Sequence, residues 1–456
     1  MGNARSLRTS GEQPIDPGIR RHRGPVARRR VVYCCGYDPR PPEGAVYGLL
    51  EREAERYCKE RPLSFELSPL VHAADGETSS WTLTLEGELN GEAWRTQADY
   101  IQLRWDDIVA EDFARWFPER AARSFATFFD YLFSGAMLAM ARTFHRTLIL
   151  WLYPVFAIAG IILLAGFGAW SAWELLPLSA PLRIVAALAC FLAVIAGGAW
   201  FTRFTFIQHL ADLWTFCRDF AVGKRPDMEA RCEAFAGYVL DAVRKDDVDE
   251  TLLIGHSYGT MMIVEATARA LKRDAEAFRK GAPITLITLG SCLNTSTLHP
   301  AAEARREAVR IIAENRDLLW IEIQGRQDMI NYFEDDPGVA AGLADDDARA
   351  NPVVRWLSLR DTLAADTYAR FSMNYFRMHF QTIFANDQPH PWDYFLTVAG
   401  PDPVAERVKR NFWEYRWEET DIFMRQSVPL VLAFPDLPET PSRERKRGKR
   451  KDASAT

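Results

Sequence analysis

In its first part the chain sets short apolar runs, bounded by Gly, Pro and Asp, beside one amphipathic stretch. Arg30-Val31-Val32-Tyr33-Cys34-Cys35 is a mostly apolar run that stops at Gly36 and gives way to a loop holding Asp38, Pro39, Pro41 and Pro42. Such a run predicts a short buried strand. Residues 45–60 carry helical spacing, and 63–70, 81–85 and 100–105 read as strands, the last leading into Asp106 and Asp107. The alternation resumes later with helix 227–244, strand 251–254, helix 260–272, strand 284–289, helix 300–313, strand 318–323 and a further strand at 353–359. Strands alternating with helices imply an α/β fold, a mostly parallel sheet covered by helices on both faces. No internal repeat is visible.

Between the two parts the periodicity disappears. From Thr147 to Trp173 there is no charged residue, and Ile184 to Thr202 is equally free of charge, with Pro177 and Pro181 in the short turn between them. Each run is long enough to cross a hydrocarbon core of about 30 Å as a helix, so spans at about 148–170 and 183–202 are expected, forming a transmembrane hairpin. Trp151, Tyr153, Trp170, Trp173 and Trp200 lie near the expected ends, where interfacial aromatics belong. Arg142 and Arg146 precede the hairpin, and Arg203, Arg218, Lys224 and Arg225 follow it, against Glu174 and Arg183 at the turn. This asymmetry predicts that the flanks, the globular part and both termini lie on the cytoplasmic side of a two-span membrane protein. The Phe- and Trp-rich segments 113–133 and 204–220 fit helices lying in the interface, or helices packed against the globular part.

Charge adds a second feature. The formal net charge of −6 conceals +6 on residues 1–30 and +6 on residues 443–451, which leaves −18 on the remainder. The expected organisation is therefore a basic flexible segment at 1–30, a first globular part at 31–107, a membrane-associated insertion at 108–225, a second globular part at 226–435 and a basic flexible tail at 436–456. Beside a bilayer, basic tails are attracted to anionic lipid. Neither tail interleaves aromatics or carries a nucleic-acid reading motif, so lipid rather than nucleic acid is the expected partner. Met1-Gly2-Asn3-Ala4-Arg5-Ser6 fits the loose N-myristoylation pattern, and no apolar run of a secretory signal precedes residue 30. The seven cysteines are scattered without metal-ligand spacing, which suits a reducing compartment, with Cys34 and Cys35 as packing residues. No P-loop, dinucleotide fingerprint or zinc signature occurs, so no cofactor and no metal are expected.

Candidate chemistry concentrates at Thr251-Leu252-Leu253-Ile254-Gly255-His256-Ser257-Tyr258-Gly259-Thr260, where an apolar strand runs into G-x-S-x-G and on into a helix. In that setting the serine occupies a strained turn at the carboxyl edge of the sheet, and the glycines let strand and helix backbones pass. Ser257 is the candidate nucleophile, at a helix N-terminus whose partial charge favours a developing anion.

On this Gly-His-Ser-Tyr-Gly elbow the chain resembles the α/β-hydrolase family, especially its lipases and esterases, over residues 31–107 and 226–400. The resemblance implies an acid and then a histidine downstream of the nucleophile. Asp328, on the loop after strand 318–323, is the implied acid, with Asp361 in reserve. His379 is the implied base, with His390, in the rigid loop Gln388-Pro389-His390-Pro391, in reserve. His256, inside the elbow, is a poor base. The implied oxyanion hole combines the Tyr258 N–H with the backbone at Gly36-Tyr37, although Cys35-Gly36 stands where many family members carry His-Gly.

The function expected is hydrolysis of an ester or thioester, with a lipid substrate suggested by the hairpin and basic tails. Acyl transfer and peptide hydrolysis on the same fold remain open, as does a non-catalytic membrane scaffold. A transporter or channel is disfavoured, since the spans offer almost no polar groups. Nothing in the sequence reads out an oligomeric state.

Overall fold

The computed structural model describes residues 13–59, 61–89, 91–143, 145–345, 349–409 and 412. The myristoylation pattern and the basic tail at 436–456 lie outside these residues. In chain order the strands are β1 (Arg28–Cys34), β2 (Ser64–Leu67), β3 (Val71–His72), β4 (Thr78–Leu89), β5 (Glu92–Leu103), β6 (Glu250–His256), β7 (Ile284–Leu289), β8 (Leu319–Gly325) and β9 (Val353–Leu357). They form one nine-stranded sheet in the order β2-β4-β5-β1-β6-β7-β8-β9, with β3 on β4. From β5 through β9 every pairing is parallel, and only β2, β3 and β4 run antiparallel to their neighbours.

β1 sits in mid-sheet because six of its seven residues are buried. Tyr33 faces Tyr394 on one side and Cys34 neighbours Cys232 on the other, so successive side chains feed two layers. One layer holds α1 (Val46–Lys59), with Tyr57 stacked on Phe395 at 5.0 Å between ring centres. Cys232 and Phe235 belong to the other layer, on a helix of residues 226–244, and both are fully buried. Cys34 and Cys35 are buried as expected of packing residues.

Two strands are longer than the pattern suggests. β4 and β5 each have twelve residues and form a hairpin from Thr78↔Leu103 to Leu89↔Glu92. Glu86, Glu88, Glu92 and Arg95 on its outer end are polar because that end is not covered, which hid it from an apolar-run reading. β1 likewise opens at Arg28, so Arg29 and Arg30 belong to the sheet and not to a solvated N-terminal segment. Arg29 is fully buried because Glu250 on β6 accepts from its Nε at 3.0 Å and the Gly400 carbonyl accepts from Nη1 at 2.6 Å.

The region between β5 and β6 opens with six helices: α2 (Asp106–Ala114), α3 (Phe117–Ser134), α4 (Ala136–Thr143), α5 (His145–Leu175), α6 (Ala180–Phe204) and α7 (Ile207–Ala221). Two stretches, Arg146–Leu175 and Ala180–Thr202, are long and apolar enough to cross a membrane. α5 starts against the globular part, with Trp151 buried and 6.0 Å from the Trp214 ring, before projecting outward beside α6. The two helices pack closely where Gly198 meets Ile161, a site at which a Cβ would lie 2.4 Å from the isoleucine Cγ2.

α7 decides between the two readings of segment 204–220. Leu213, Trp214, Phe216, Cys217 and Phe220 join the main core, so α7 is a packed helix and not an interfacial one. α3 is divided: Ser124, Thr127 and Tyr131 are buried, while Phe129, Leu132 and Phe133 are exposed. Arg120 pairs with Asp212 and Arg123 with Asp219, which ties α3 to α7 and leaves the aromatic face outward.

The Arg29–Glu250 pair joins β1 and β6 to the segment around residue 400, and Val404 N–H also donates to Glu250 at 3.2 Å. Removing one partner strands the other charge in the interior, a cost of about 3–5 kcal/mol. Arg29→Met should therefore lower the melting temperature sharply, whereas the double variant Arg29→Met/Glu250→Leu should recover much of the loss. Equal loss in both would show that the ionic pairing is not what holds this corner.

Candidate active site

β6 ends at His256, a tight turn follows at Ser257 and Tyr258, and α8 (Gly259–Arg273) begins at once. The turn is held by Ser257 N–H donating to Leu289 O at 2.9 Å and by Thr260 N–H donating back to Ser257 O at 3.2 Å. Ser257 has φ +58°, a left-handed conformation that costs an L-residue energy and persists only where the surroundings hold it.

Those surroundings are backbone. A Cβ on Gly259 would lie 2.3 Å from the carbonyl oxygens of both Cys34 and Cys35. One on Gly255 would meet Thr260 Cα at 2.7 Å, and one on Gly36 would meet Ser257 Cβ at 2.8 Å and Oγ at 3.1 Å. The end of β1, the turn and the start of α8 thus converge only because three side chains are missing. The loop after β1 therefore lies directly over the serine. Among the described residues, the N–H groups of Tyr37 and Tyr258 form no backbone hydrogen bond, which leaves both available as donors. The Tyr37 side chain is anchored away by its hydroxyl, which donates to Asp112 at 3.0 Å.

Asp328 and His379 come together although they are 51 positions apart: His379 Nδ1 lies 2.7 Å from Asp328 Oδ2, with both side chains buried. The loop after β8 holds the carboxylate, whose Oδ1 accepts from Ile330 N–H at 2.8 Å and Asn331 N–H at 3.3 Å. His379 comes from α9 (Tyr375–Phe380), capped by Asn374, which accepts from Arg377 N–H at 3.0 Å. Gly290, at φ +54°, makes room for the pair, since a Cβ there would lie 2.9 Å from His379 Cε1 and 3.2 Å from Asp328 Oδ2. With Nδ1 engaged, His379 Nε2 is buried without a hydrogen-bond partner among the described residues.

Ser257 and His379 line one cavity of about 1190 Å³, together with Gly36 and Tyr37. The serine hydroxyl lies 3.9 Å from Cys292 Sγ, and no Ser257–His379 hydrogen bond is formed. Catalytic hydrogen bonds commonly tighten only when substrate is bound.

The reserve residues are elsewhere. Asp361 is exposed in a short 3-10 turn and absent from the cavity wall. His390 is fully buried, with Nδ1 accepting from Trp392 N–H at 3.0 Å, and burial pushes its pKa down to about 3. It is a packing residue and lies outside the cavity wall. His256 packs beside His379, with ring centres 4.8 Å apart and planes tilted by 39°, and contacts its carbonyl oxygen at 3.3 Å, and burial holds its pKa well below the usual histidine range. Sequence reasoning missed Cys292 against the serine, Gly290 beneath the pair and Arg377 on the cavity wall. Gly290-Ser291-Cys292, directly after an apolar strand, was the available signal for the first two.

No protein-family model, no curated protein and no solved structure matches this chain.

A further carboxyl, Glu322 on β8, is fully buried and accepts from Thr288 Oγ1. Burial pushes it up to about 8, so it keeps its proton at neutral pH. Unfolded, it ionises near pH 4. The folded chain thus binds more protons between about pH 4 and 8, and stability falls as pH rises through that window before levelling above it. Glu322→Gln should make the fall in melting temperature between pH 5 and 8 shallower. An unchanged slope would show that Glu322 does not hold its proton.

Proposed function

We propose that the protein is a membrane-anchored serine hydrolase that cleaves an ester or thioester through an acyl-enzyme on Ser257. The observation that carries this is the buried Asp328–His379 pair, which lines the same cavity as a strained serine and leaves Nε2 without a hydrogen-bond partner among the described residues. An imidazole oriented by a carboxylate, sharing a cavity with a serine hydroxyl, is the constellation that nucleophilic catalysis uses.

In this reading His379 Nε2 takes the Ser257 proton as Oγ attacks the carbonyl carbon. The Tyr258 N–H and the backbone at Gly36-Tyr37 receive the oxyanion, and Asp328 stabilises the imidazolium. The same nitrogen then protonates the departing alkoxide or thiolate, and water, activated in turn by His379, releases the acid. Removing an oxyanion donor of this kind costs about 10²–10³ in rate.

The surroundings support an apolar substrate. Phe113, Trp116, Phe117, Phe206, Phe376 and Phe380 line the cavity, and Ala199 and Thr202, at the inner end of the second span, line it as well. Trp116 and Phe206 are 74 % and 47 % exposed, so the cavity wall is continuous with the apolar surface that two bilayer-crossing helices would extend. An acyl chain could pass from the membrane to Ser257 without crossing water.

A fluorophosphonate probe should label the protein in native membranes and fail to label Ser257→Ala. His379→Ala should lose at least 10³-fold in labelling rate, and His390→Ala should keep its rate wherever it folds. Absence of labelling in the wild-type protein would leave the non-catalytic scaffold as the better account. Proteolysis of right-side-out vesicles should spare both tails, and their cleavage from outside would reverse the proposed topology.

A further inference from the structure

The cavity carries a charge pattern opposite to that of the body around it. Five arginines line it, Arg40, Arg52, Arg115, Arg120 and Arg377, against the single acid Asp38. Three of the five are neutralised. Arg40 makes a forked pair with Asp38, its Nη2 reaching Oδ2 at 2.6 Å, Arg115 pairs with Glu119 at 3.0 Å, and Arg120 pairs with Asp212. Arg52 and Arg377 are different.

Arg377 stands on α9, two residues before His379. Its Nη1 donates to the neutral Gln381 Oε1 at 2.6 Å, and its guanidinium lies 4.2 Å from the centre of the Phe384 ring, another cavity residue. No carboxylate forms an ion pair with it among the described residues; Glu53 and Asp387, which act on it at longer range, are both paired with Arg56. Burial lowers its pKa to about 10, which leaves it charged at neutral pH. Arg52, on α1, is exposed on the same cavity wall and likewise pairs with no carboxylate among the described residues. A half-buried guanidinium with only a neutral acceptor keeps most of its donors for a ligand, and its planar fork suits a carboxylate or phosphate.

We infer that Arg377, assisted by Arg52, forms an anion subsite, so that the substrate is an acyl ester bearing a phosphate or carboxylate near the bond to be cleaved. The inference rests on the hydrolase reading for the ester bond, but the subsite itself does not. The aromatic wall takes the chain and the guanidinium takes the charge. Anionic lipids and soluble anionic esters share this chemistry and differ in chain length.

The test is binding to full-length Ser257→Ala in maltoside micelles, where no turnover occurs, followed by intrinsic tryptophan fluorescence. The probes are dodecyl phosphate, the neutral dodecyl glycerol ether and butyl phosphate. Dodecyl phosphate should bind at least ten-fold more tightly than the neutral ether. Arg377→Gln should abolish that preference, Arg377→Lys should retain part of it, and Arg52→Gln, at an exposed position, should reduce it. Weak butyl phosphate binding assigns the subsite to lipids, whereas binding equal to that of the long-chain probe assigns it to soluble esters. Equal affinity for dodecyl phosphate and the ether, or a preference untouched by Arg377→Gln and Arg52→Gln, overturns the subsite. Fluorophosphonate labelling of the wild-type chain separates the two failures. An anion preference without labelling sinks the hydrolase reading alone, and labelling without a preference sinks the subsite alone.

Discussion

Everything at the candidate site depends on how closely three pieces of backbone approach one another. The end of β1 runs within van der Waals contact of the first turn of α8, and the loop that follows lies on the Ser257 side chain. This crowding allows no Cβ at Gly36, Gly255 or Gly259, and it holds Ser257 in a left-handed conformation that an isolated peptide would leave. The energy for holding it comes from the surrounding sheet, where β1 is hydrogen-bonded on both edges and the Arg29–Glu250 pair locks β1 to β6.

A second consequence concerns electrostatics. The carboxylate that orients His379 has its other oxygen occupied by two backbone N–H groups, so it is presented to the imidazole in one geometry. The Glu322 carboxyl, on the strand that leads to the Asp328 loop, is kept neutral by burial. Cys292 is held in its thiol form by the same burial, and its place against Ser257 is one of packing.

The membrane-length helices are attached to this machinery and not merely tethered to it. The outward course of α5 begins on Trp214 of α7, and the chain leaving α6 turns sharply at Phe206, whose ring stacks on Phe376 of the helix carrying His379, 4.1 Å between centres. The turn that leaves the hairpin thus touches the helix that carries His379, and the cavity is lined from both sides.

Much of this was legible in the sequence, because it is decided by neighbours along the chain. The two uncharged stretches, the strand-turn-helix around Ser257 and the alternation of strands and helices follow from periodicity and from local sterics, and the two stretches and the strand-turn-helix appear within a few residues of their expected bounds. Tertiary packing decided the rest. No local signal distinguishes His379 from His390, since both lie in aromatic surroundings, and only the fold puts one on Asp328 and seals the other against Trp392. Likewise, the polar residues of the β4–β5 hairpin gave no apolar run, and the arginines Arg29 and Arg30 looked solvated until their partners arrived from β6 and the segment around residue 247. The physical reason is the same in each case. Short-range sterics and hydrophobic period are written into adjacent residues, whereas the partner of a buried charge or an imidazole comes from a distant element and is known only once the sheet has closed.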